Sequence, residues 1–337
     1  MKFENELTRM LEIRHPLVMA PMFLISNEAM ITAAMKAGIL GCFPSLNYRD
    51  PKQLEDVLRR LNILRANKSE STGNYGVNLI VQKSNFRFAE HLEICVRNKV
   101  PVYITSLGNP QETIQAAHSY GAKVLCDVTN LKHAGKCADL GCDGFIAVGQ
   151  GAGGHAGPYP TSLLVRSLRK HFPEVPVLAA GGISDGHGIL SSLAAGASAA
   201  YCGTIFITSY ESGASKDYLN AILDAGMEDI VMTDRISGTP CTIINTPYAR
   251  KIGLRQNRME RWLSSNPRTK KYFKMMVQFR GFNWLEKALK PGSYQNLWCA
   301  GQSVELIDKV QSVPEIVKEM TGELESAFLE LQGMTRP

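Results

Sequence analysis

The sequence predicts an α/β fold, a (β/α)8 TIM barrel of eight parallel strands followed by a C-terminal helical lid or small second domain. Three observations point there. Eight short apolar, β-branched runs recur through the first 210 residues, separated by stretches of helical periodicity. Every unusual glycine-rich loop directly follows one of those runs, and a barrel gathers such loops on its C-terminal face. Beyond about Tyr210 the alternation stops and a basic, aromatic, mostly helical segment takes over. An open doubly wound sheet shares this rhythm, but the strand count favours the barrel.

The strand runs are residues 17–20, 39–43, 75–79, 102–105, 124–128, 144–148, 177–180 and 199–201. The helical stretches between them are 28–37, 52–62, 86–98, 111–118, 131–140, 161–171 and 187–195. Asn27 is placed to cap the first, and Asp50-Pro51 offers a cap with proline at the first helical position. Gly38, Gly121 and Gly141 stand where a helix ends on a left-handed residue. Later in the chain, 216–225 reads as a helix and 236–244, with Gly238-Thr239-Pro240, as a strand or loop. Residues 259–289 read as helical, with Trp262, Tyr272, Phe273, Phe279, Phe282 and Trp284, and an amphipathic helix spans about 313–331. The domain reading is therefore a barrel over 1–210, a basic insertion or lid over 211–298, and a segment over 299–337 that returns to the barrel.

The charge is uneven. The net value is +6, yet residues 251–290 alone hold 11 Lys and Arg against 2 Glu, a local +9 on a body of −3. That is not the spread footprint of a general nucleic-acid binder, and the aromatic residues recur at helix-packing spacings. None of the eight cysteines forms a Cys-x-x-Cys pair or a zinc-type cluster, so no metal is expected and the cysteines read as small, reduced core residues. Residues 1–14 lack an apolar signal core, and no stretch nears the ~20 apolar residues of a bilayer span. A cytoplasmic enzyme of a small molecule, able to form a homodimer through its aromatic tail, is the expectation.

Chemistry concentrates at the strand ends. After the sixth strand comes Gly149-Gln150-Gly151-Ala152-Gly153-Gly154-His155-Ala156-Gly157-Pro158. Its glycines let a flat ligand approach the backbone closely, and His155 is the one group in the loop able to exchange a proton near neutral pH. Ala180-Gly181-Gly182-Ile183-Ser184-Asp185-Gly186 follows the seventh strand and opens a helix, and Cys202-Gly203-Thr204 follows the eighth. Backbone amides on these adjacent turns suit a phosphate. No Gly-x-x-x-x-Gly-Lys-Ser/Thr run is present, so a nucleoside-triphosphate loop is excluded. Ala20-Pro21-Met22 ends the first strand, where a thioether can lie on a flat ring. Asn78 ends the third, able to donate and accept toward a heterocycle or to hold its own loop. Asp127 ends the fifth, either as a ligand contact or as the cap of the next helix.

Taken with Gly76-Val77-Asn78 and Ala300-Gly301-Gln302, these motifs resemble the nitronate monooxygenase family, formerly called 2-nitropropane dioxygenase. That family is related to the FMN-type enoyl-acyl-carrier-protein reductases. The likeness runs in order from about residue 17 to 319 and is weakest across 259–297. It implies an FMN enzyme. Gly181, Gly182, Gly203 and Thr204 would hold the FMN phosphate, and Ala20, Pro21, Met22 and Asn78 would line the isoalloxazine. Gly151, Gly153 and Gly154 would pass beside the flavin, with Gln150, Ala180 and Asp127 completing the cofactor set and His155 facing substrate. The reaction implied is oxidation of an alkyl nitronate or nitroalkane by O2 to a carbonyl compound and nitrite, with His155 as base or hydrogen-bond donor. Two alternatives stay open. One is an NAD(P)H-dependent enoyl-thioester reductase, whose acidic acyl carrier protein the basic segment would steer. The other is a passive FMN or phosphate-ligand binder.

Overall fold

A computed structural model describes residues 3–67, 69, 72–236, 238–265 and 296–334, together with 273, 275–277, 280, 281, 284 and 287. Eight parallel strands close into a barrel in chain order. They are β1 (Leu17–Met19), β2 (Leu40–Pro44), β3 (Asn74–Ile80), β4 (Val102–Ser106), β5 (Lys123–Val128), β6 (Gly144–Val148), β8 (Val177–Ala180) and β9 (Ala199–Cys202). Closure comes from β9 pairing with β1, Val18 opposite Tyr201. Each expected strand is present to within one residue at either end. The helices match less tightly: Pro51–Ala66 runs four residues past its expected end because Leu64 packs onto the core, and Phe88–Arg97 leaves Phe86 outside, exposed.

Strand alternation sorts the side chains into two cores. Val18, Leu40, Val102, Ile104, Leu125, Ile146, Leu178 and Ala199 fill the barrel interior. Their strand neighbours, such as Val77, Val124, Cys126 and Phe145, pack outward under the helices. Asn27 accepts from the Met30 amide and Asp50 from the Lys52 amide, as capping requires. Gly38, Gly121 and Gly141 all have positive φ at helix ends.

A short N-terminal helix, Glu6–Met10, was not foreseen, because five residues carry no readable periodicity. Leu7 and Leu11 insert into the interior cluster from the N-terminal ends of the strands. Asn5 Nδ2 donates to Ser198 O at 2.7 Å, and Asn74 Nδ2 donates to Leu11 O at 3.1 Å. The floor of the barrel is thereby sealed. What opens to solvent is the C-terminal mouth.

Over that mouth stands a second, antiparallel sheet of three strands in the order β10 (Ile230–Thr233), β11 (Cys241–Ile244) and β7 (Gly154–His155). Of the expected strand or loop at 236–244 only 241–244 is strand, following a turn at Gly238 with φ 70°. Neither β10 nor β7 was foreseen; β7 is two residues inside a glycine run and has no apolar signature. Beyond it lies the helix Arg258–Ser265. Phe273, residues 275–277, Arg280, Gly281, Trp284 and Lys287 are also helical, whereas Tyr272, Phe279 and Phe282 of the expected helix fall outside the described residues. Phe273 and Val277 are buried, but Trp262 is exposed. Glu260 ties the lid together, accepting from Arg235 at 2.6 Å and Arg280 at 3.3 Å, and the Arg280 guanidinium lies over Trp284.

The last helix, Val313–Gly333, buries Val313, Ile316, Val317, Met320 and Leu324. It packs so tightly on the helix Gly186–Ala194 that a Cβ on Gly186 would stand 2.1 Å from the Leu324 amide nitrogen. All eight cysteines are free, and seven are buried. Among the described residues no helix is long and apolar enough to cross a membrane.

Candidate active site

Four groups of residues meet at the mouth. The first is the turn after β1. Ser26 Oγ accepts from the Met22 amide at 2.9 Å, and Asn47 braces the turn through Ser26 O and the Leu24 amide. A Cβ on Gly203, after β9, would lie 3.7 Å from Ala20 Cβ and 3.8 Å from Met22 Sδ. Ala20, Met22 and Gly203 are thus brought together, with Pro21 partly buried between. Ser26 and Asn47 escaped the sequence reading, since a serine and an asparagine in a loop carry no pattern.

The second group runs across β3, β4 and β5. Asn78 Nδ2 donates to Ser106 Oγ at 2.8 Å and to Ile104 O at 3.2 Å. Ser106 Oγ donates in turn to Asp127 Oδ2. Asp127 Oδ1 is buried and has no hydrogen-bond partner among the described residues. Burial pushes the Asp127 carboxyl up to about 6, against which the Ser106 bond pulls down. Asp127 does not cap the following helix: Asn130 does, accepting from the His133 amide at 2.9 Å. Ser106 was missed, although it lies two residues beyond the inward-facing Ile104 and strand alternation would have found it.

The third group is the glycine crossing. The loop after β6 lies directly on the turn after β8: Gly149 N donates to Ala180 O at 2.9 Å, and Gly182 N donates to Gly151 O at 3.1 Å. A Cβ on Gly181, whose φ is 116°, would stand 2.6 Å from the Ala152 nitrogen. One on Gly153 would meet the Gly301 nitrogen at 2.8 Å and Thr204 Oγ1 at 3.1 Å. Thr204 Oγ1 accepts from the Gly301 amide at 3.0 Å and keeps its own proton to donate. Only glycine permits so close a crossing of backbones. Gln150 is exposed, and its amide is bound to Tyr159 O.

The fourth group is the lid edge. Cys241 of β11 pairs with His155 of β7, and Thr242 with Gly154. Thr242 Oγ1 donates to Ala152 O, pinning the glycine loop to the lid. His155 is exposed on this edge, and Cys241 Sγ lies 3.8 Å from Cys299 Sγ.

One expectation needs correcting. The helix after the Gly181-Gly182 turn does not offer its N-terminus to a phosphate, because the chain's own carboxylates cap it. Asp185 accepts from the Gly188 amide at 2.6 Å and Glu323 from the Gly186 amide at 2.8 Å. The anion-holding capacity that is left lies at Gly181 and Gly182, at the Gly203-Thr204 turn whose first amides have no intrahelical acceptor, and at the Thr204 hydroxyl. Among the described residues, its chain neighbours aside, nothing lies within 4 Å of a Cβ on Gly182. An open glycine cradle, a thioether wall and an orphaned carboxyl oxygen at the mouth fit a planar heterocycle that ends in a phosphate.

Over residues 4–323 the sequence matches the nitronate monooxygenase family. The chain belongs to that family. Nitronate monooxygenase relatives include a "probable nitronate monooxygenase" of Staphylococcus aureus, 28% identical, with 74% of this chain and 80% of that one covered. A (3aS,4S,5R,7aS)-5-hydroxy-7a-methyl-1-oxo-octahydro-1H-indene-4-carboxyl-CoA dehydrogenase of Mycobacterium tuberculosis is 29% identical, covering 75% of this chain and 69% of that one. Among solved structures, FabK of Thermotoga maritima superposes with a TM-score of 0.83 at 28% identity, covering 98% and 99% of the two chains. The nitronate monooxygenase family comprises FMN-dependent oxidoreductases, and this chain is an oxidoreductase of that family. The passive-binder alternative is thereby set aside.

Proposed function

We propose that the chain holds FMN at the barrel mouth and oxidises alkyl nitronates, or the parent nitroalkanes, with O2 to a carbonyl compound and nitrite. The observation that carries this reading is the position of His155: exposed, on a strand that joins the glycine crossing to the lid. FMN, when bound, supplies the redox chemistry, accepting electrons from the substrate and passing them to O2. Gly181, Gly182, Gly203 and Thr204 would hold its phosphate, and Ala20, Pro21, Met22 and Asn78 its ring, with Gly151, Gly153 and Gly154 alongside. His155 then hydrogen-bonds the nitro oxygens of an anionic nitronate, or removes the α-proton of a neutral nitroalkane.

A second reading, NAD(P)H-dependent reduction of an enoyl thioester on the same cofactor, is favoured by the likeness to FabK and to a CoA-thioester dehydrogenase. Absorbance of the purified protein under anaerobic conditions separates the two. Flavin bands that bleach with a nitronate and return in air support the first. Bands that ignore nitronate and bleach with NADH or NADPH, then reoxidise with an enoyl thioester, move the assignment to the second. No flavin bands, even after incubation with FMN, overturn both. His155→Ala should lower nitronate turnover by about 10²–10⁴-fold with FMN still bound; loss of the flavin too would make His155 structural.

A further inference from the structure

The barrel interior ends, on its open side, in a layer whose polar groups are linked to one another. Cys42 of β2 belongs to the interior cluster and Tyr201 of β9 packs against it. Ser106 and Asp127 stand two residues beyond the inward-facing Ile104 and Leu125, so the strand pleat turns them inward too. Asn78 reaches the same layer through its bond to Ser106.

Hydrogen-bond direction along this layer is fixed. The Asn78 amide donates to the Ser106 hydroxyl, so that oxygen is used as an acceptor and its single proton goes to Asp127 Oδ2. Oδ2 is therefore an acceptor in either charge state. Any proton the carboxyl carries must sit on Oδ1, the buried oxygen that has no partner among the described residues. Neutral, Asp127 presents an O–H donor from Oδ1; ionised, it presents a bare acceptor at the same point. The pyrimidine edge of a flavin alternates carbonyl acceptors with an N–H donor and can meet either form.

We propose that Asp127, held by the Asn78–Ser106 chain, contacts the polar edge of the bound flavin ring and makes the ring's electronic properties depend on the carboxyl's protonation. The proposal rests on the FMN reading above. The other titratable groups facing the carboxyl are the Cys42 thiol and the Tyr201 hydroxyl. Burial and the Asp127 charge push both upward, so they stay neutral. Among the described residues no basic side chain pairs with Asp127. Burial places its titration at about 6, within the working range of an enzyme. Reduction loads negative charge onto the ring, which a neutral donor at Oδ1 stabilises and a carboxylate opposes.

The test uses full-length protein reconstituted with FMN, its visible absorbance and reduction midpoint recorded from about pH 4.5 to 8.5, bracketing the ordinary carboxyl range and this one. Wild type should show a one-proton step centred near 6. Asp127→Asn, which keeps a donor and removes the titration, should lose it. Ser106→Ala should move it to higher pH, because the bond favouring the carboxylate is gone, and this variant keeps the proposal testable if Asp127→Asn does not fold. The FMN phosphate also titrates near pH 6, but it does so in every variant, so the difference isolates Asp127. A step that persists unchanged in Asp127→Asn, or is absent from wild type, overturns the proposal. Failure to take up FMN at all would bring down the cofactor reading with it.

Discussion

Gly181→Ala should unseat the glycine crossing, while Gly154→Ala, in the neighbouring loop of the same site, should be mild. At Gly181 the φ of 116° belongs to glycine alone, and the added Cβ would stand 2.6 Å from Ala152 N and 3.0 Å from Gly151 C. Both neighbours are backbone, so no flexible side chain can yield. Strain of about 1–3 kcal/mol and overpacking of about 1–3 kcal/mol together give about 2–6 kcal/mol. Gly154 also has positive φ, 73°, but among the described residues, its chain neighbours aside, nothing lies within 4 Å of its Cβ. Its substitution costs only the left-handed penalty, about 1–2 kcal/mol. With roughly 2.1 cal/mol/K of unfolding entropy per residue, a chain of 337 residues loses about 1.4 °C of Tm per kcal/mol. The expected drops are then about 3–8 °C for Gly181→Ala and about 1–3 °C for Gly154→Ala. Calorimetry reads these directly, and FMN fluorescence titration reads the cradle, where Gly181→Ala should weaken binding by about tenfold or more for each 1.4 kcal/mol of strain the bound state retains. Equal effects of the two substitutions would refute the close crossing as the reason for glycine at 181.

Three other outcomes follow from single contacts. Thr242→Val leaves Ala152 O without the Thr242 hydroxyl, at a cost of about 1–3 kcal/mol; hydrogen exchange of the amides at 152–155 should speed up, and unchanged protection would count against the lid anchor. The Asp127 carboxyl is raised from 3.8 to about 6, so the FMN-free folded state binds the proton more tightly than the unfolded one and stability falls as pH rises from about 4 to 6. Above that range the buried charge costs on the order of 3 kcal/mol, so in urea melts Asp127→Asn should stabilise at pH 8 and change nothing near pH 3.5. The Glu260 carboxyl is held below its ordinary value by the Asn257 amide and by Arg235 and Arg280, despite partial burial. Its contribution is present at neutral pH and lost as pH falls through that lowered value; Glu260→Gln should cost about 1–3 kcal/mol and speed proteolysis near 258–265.

The barrel was legible because its strands are buried on both faces, and such strands write continuous apolar runs that end sharply at glycine or polar residues. The lid sheet was not. Its β7 is two residues of a glycine loop that become a strand only because Cys241 and Thr242, nearly ninety residues later, pair with them. The site divides along the same line. Gly181, Gly182, Gly203 and His155 stand out locally, whereas Ser26, Ser106 and Thr242 are ordinary residues whose roles exist only through partners on other strands. The misread helix terminus has the same cause. Gly186 opens a helix in sequence, but Glu323 reaches its amide from a segment 137 residues away, which no local pattern could announce.

That division also explains how one mouth serves two purposes. The cradle and the Asn78–Ser106–Asp127 chain hang on β3, β4, β5, β8 and β9, whose ladders are continuous around the barrel. The proposed substrate side hangs on β7, tied to β11 by a two-residue ladder and the Thr242 hydroxyl, with the Ala156 amide donating to Pro240 O just beyond. On the proposed reading, the cofactor side is held by the barrel ladders, and His155 by the three-stranded lid sheet. Substitutions along β10 and β11 should change which substrates turn over while leaving the flavin spectrum and affinity in place. Changes at Ser106 or Gly181 should do the reverse, altering the flavin first and every substrate alike. The exception is Thr242, whose side chain bonds the loop that crosses the cradle. Its removal should disturb both readouts together, and a Thr242→Val enzyme with altered turnover but an unaltered flavin would show that the two sides are mechanically separate.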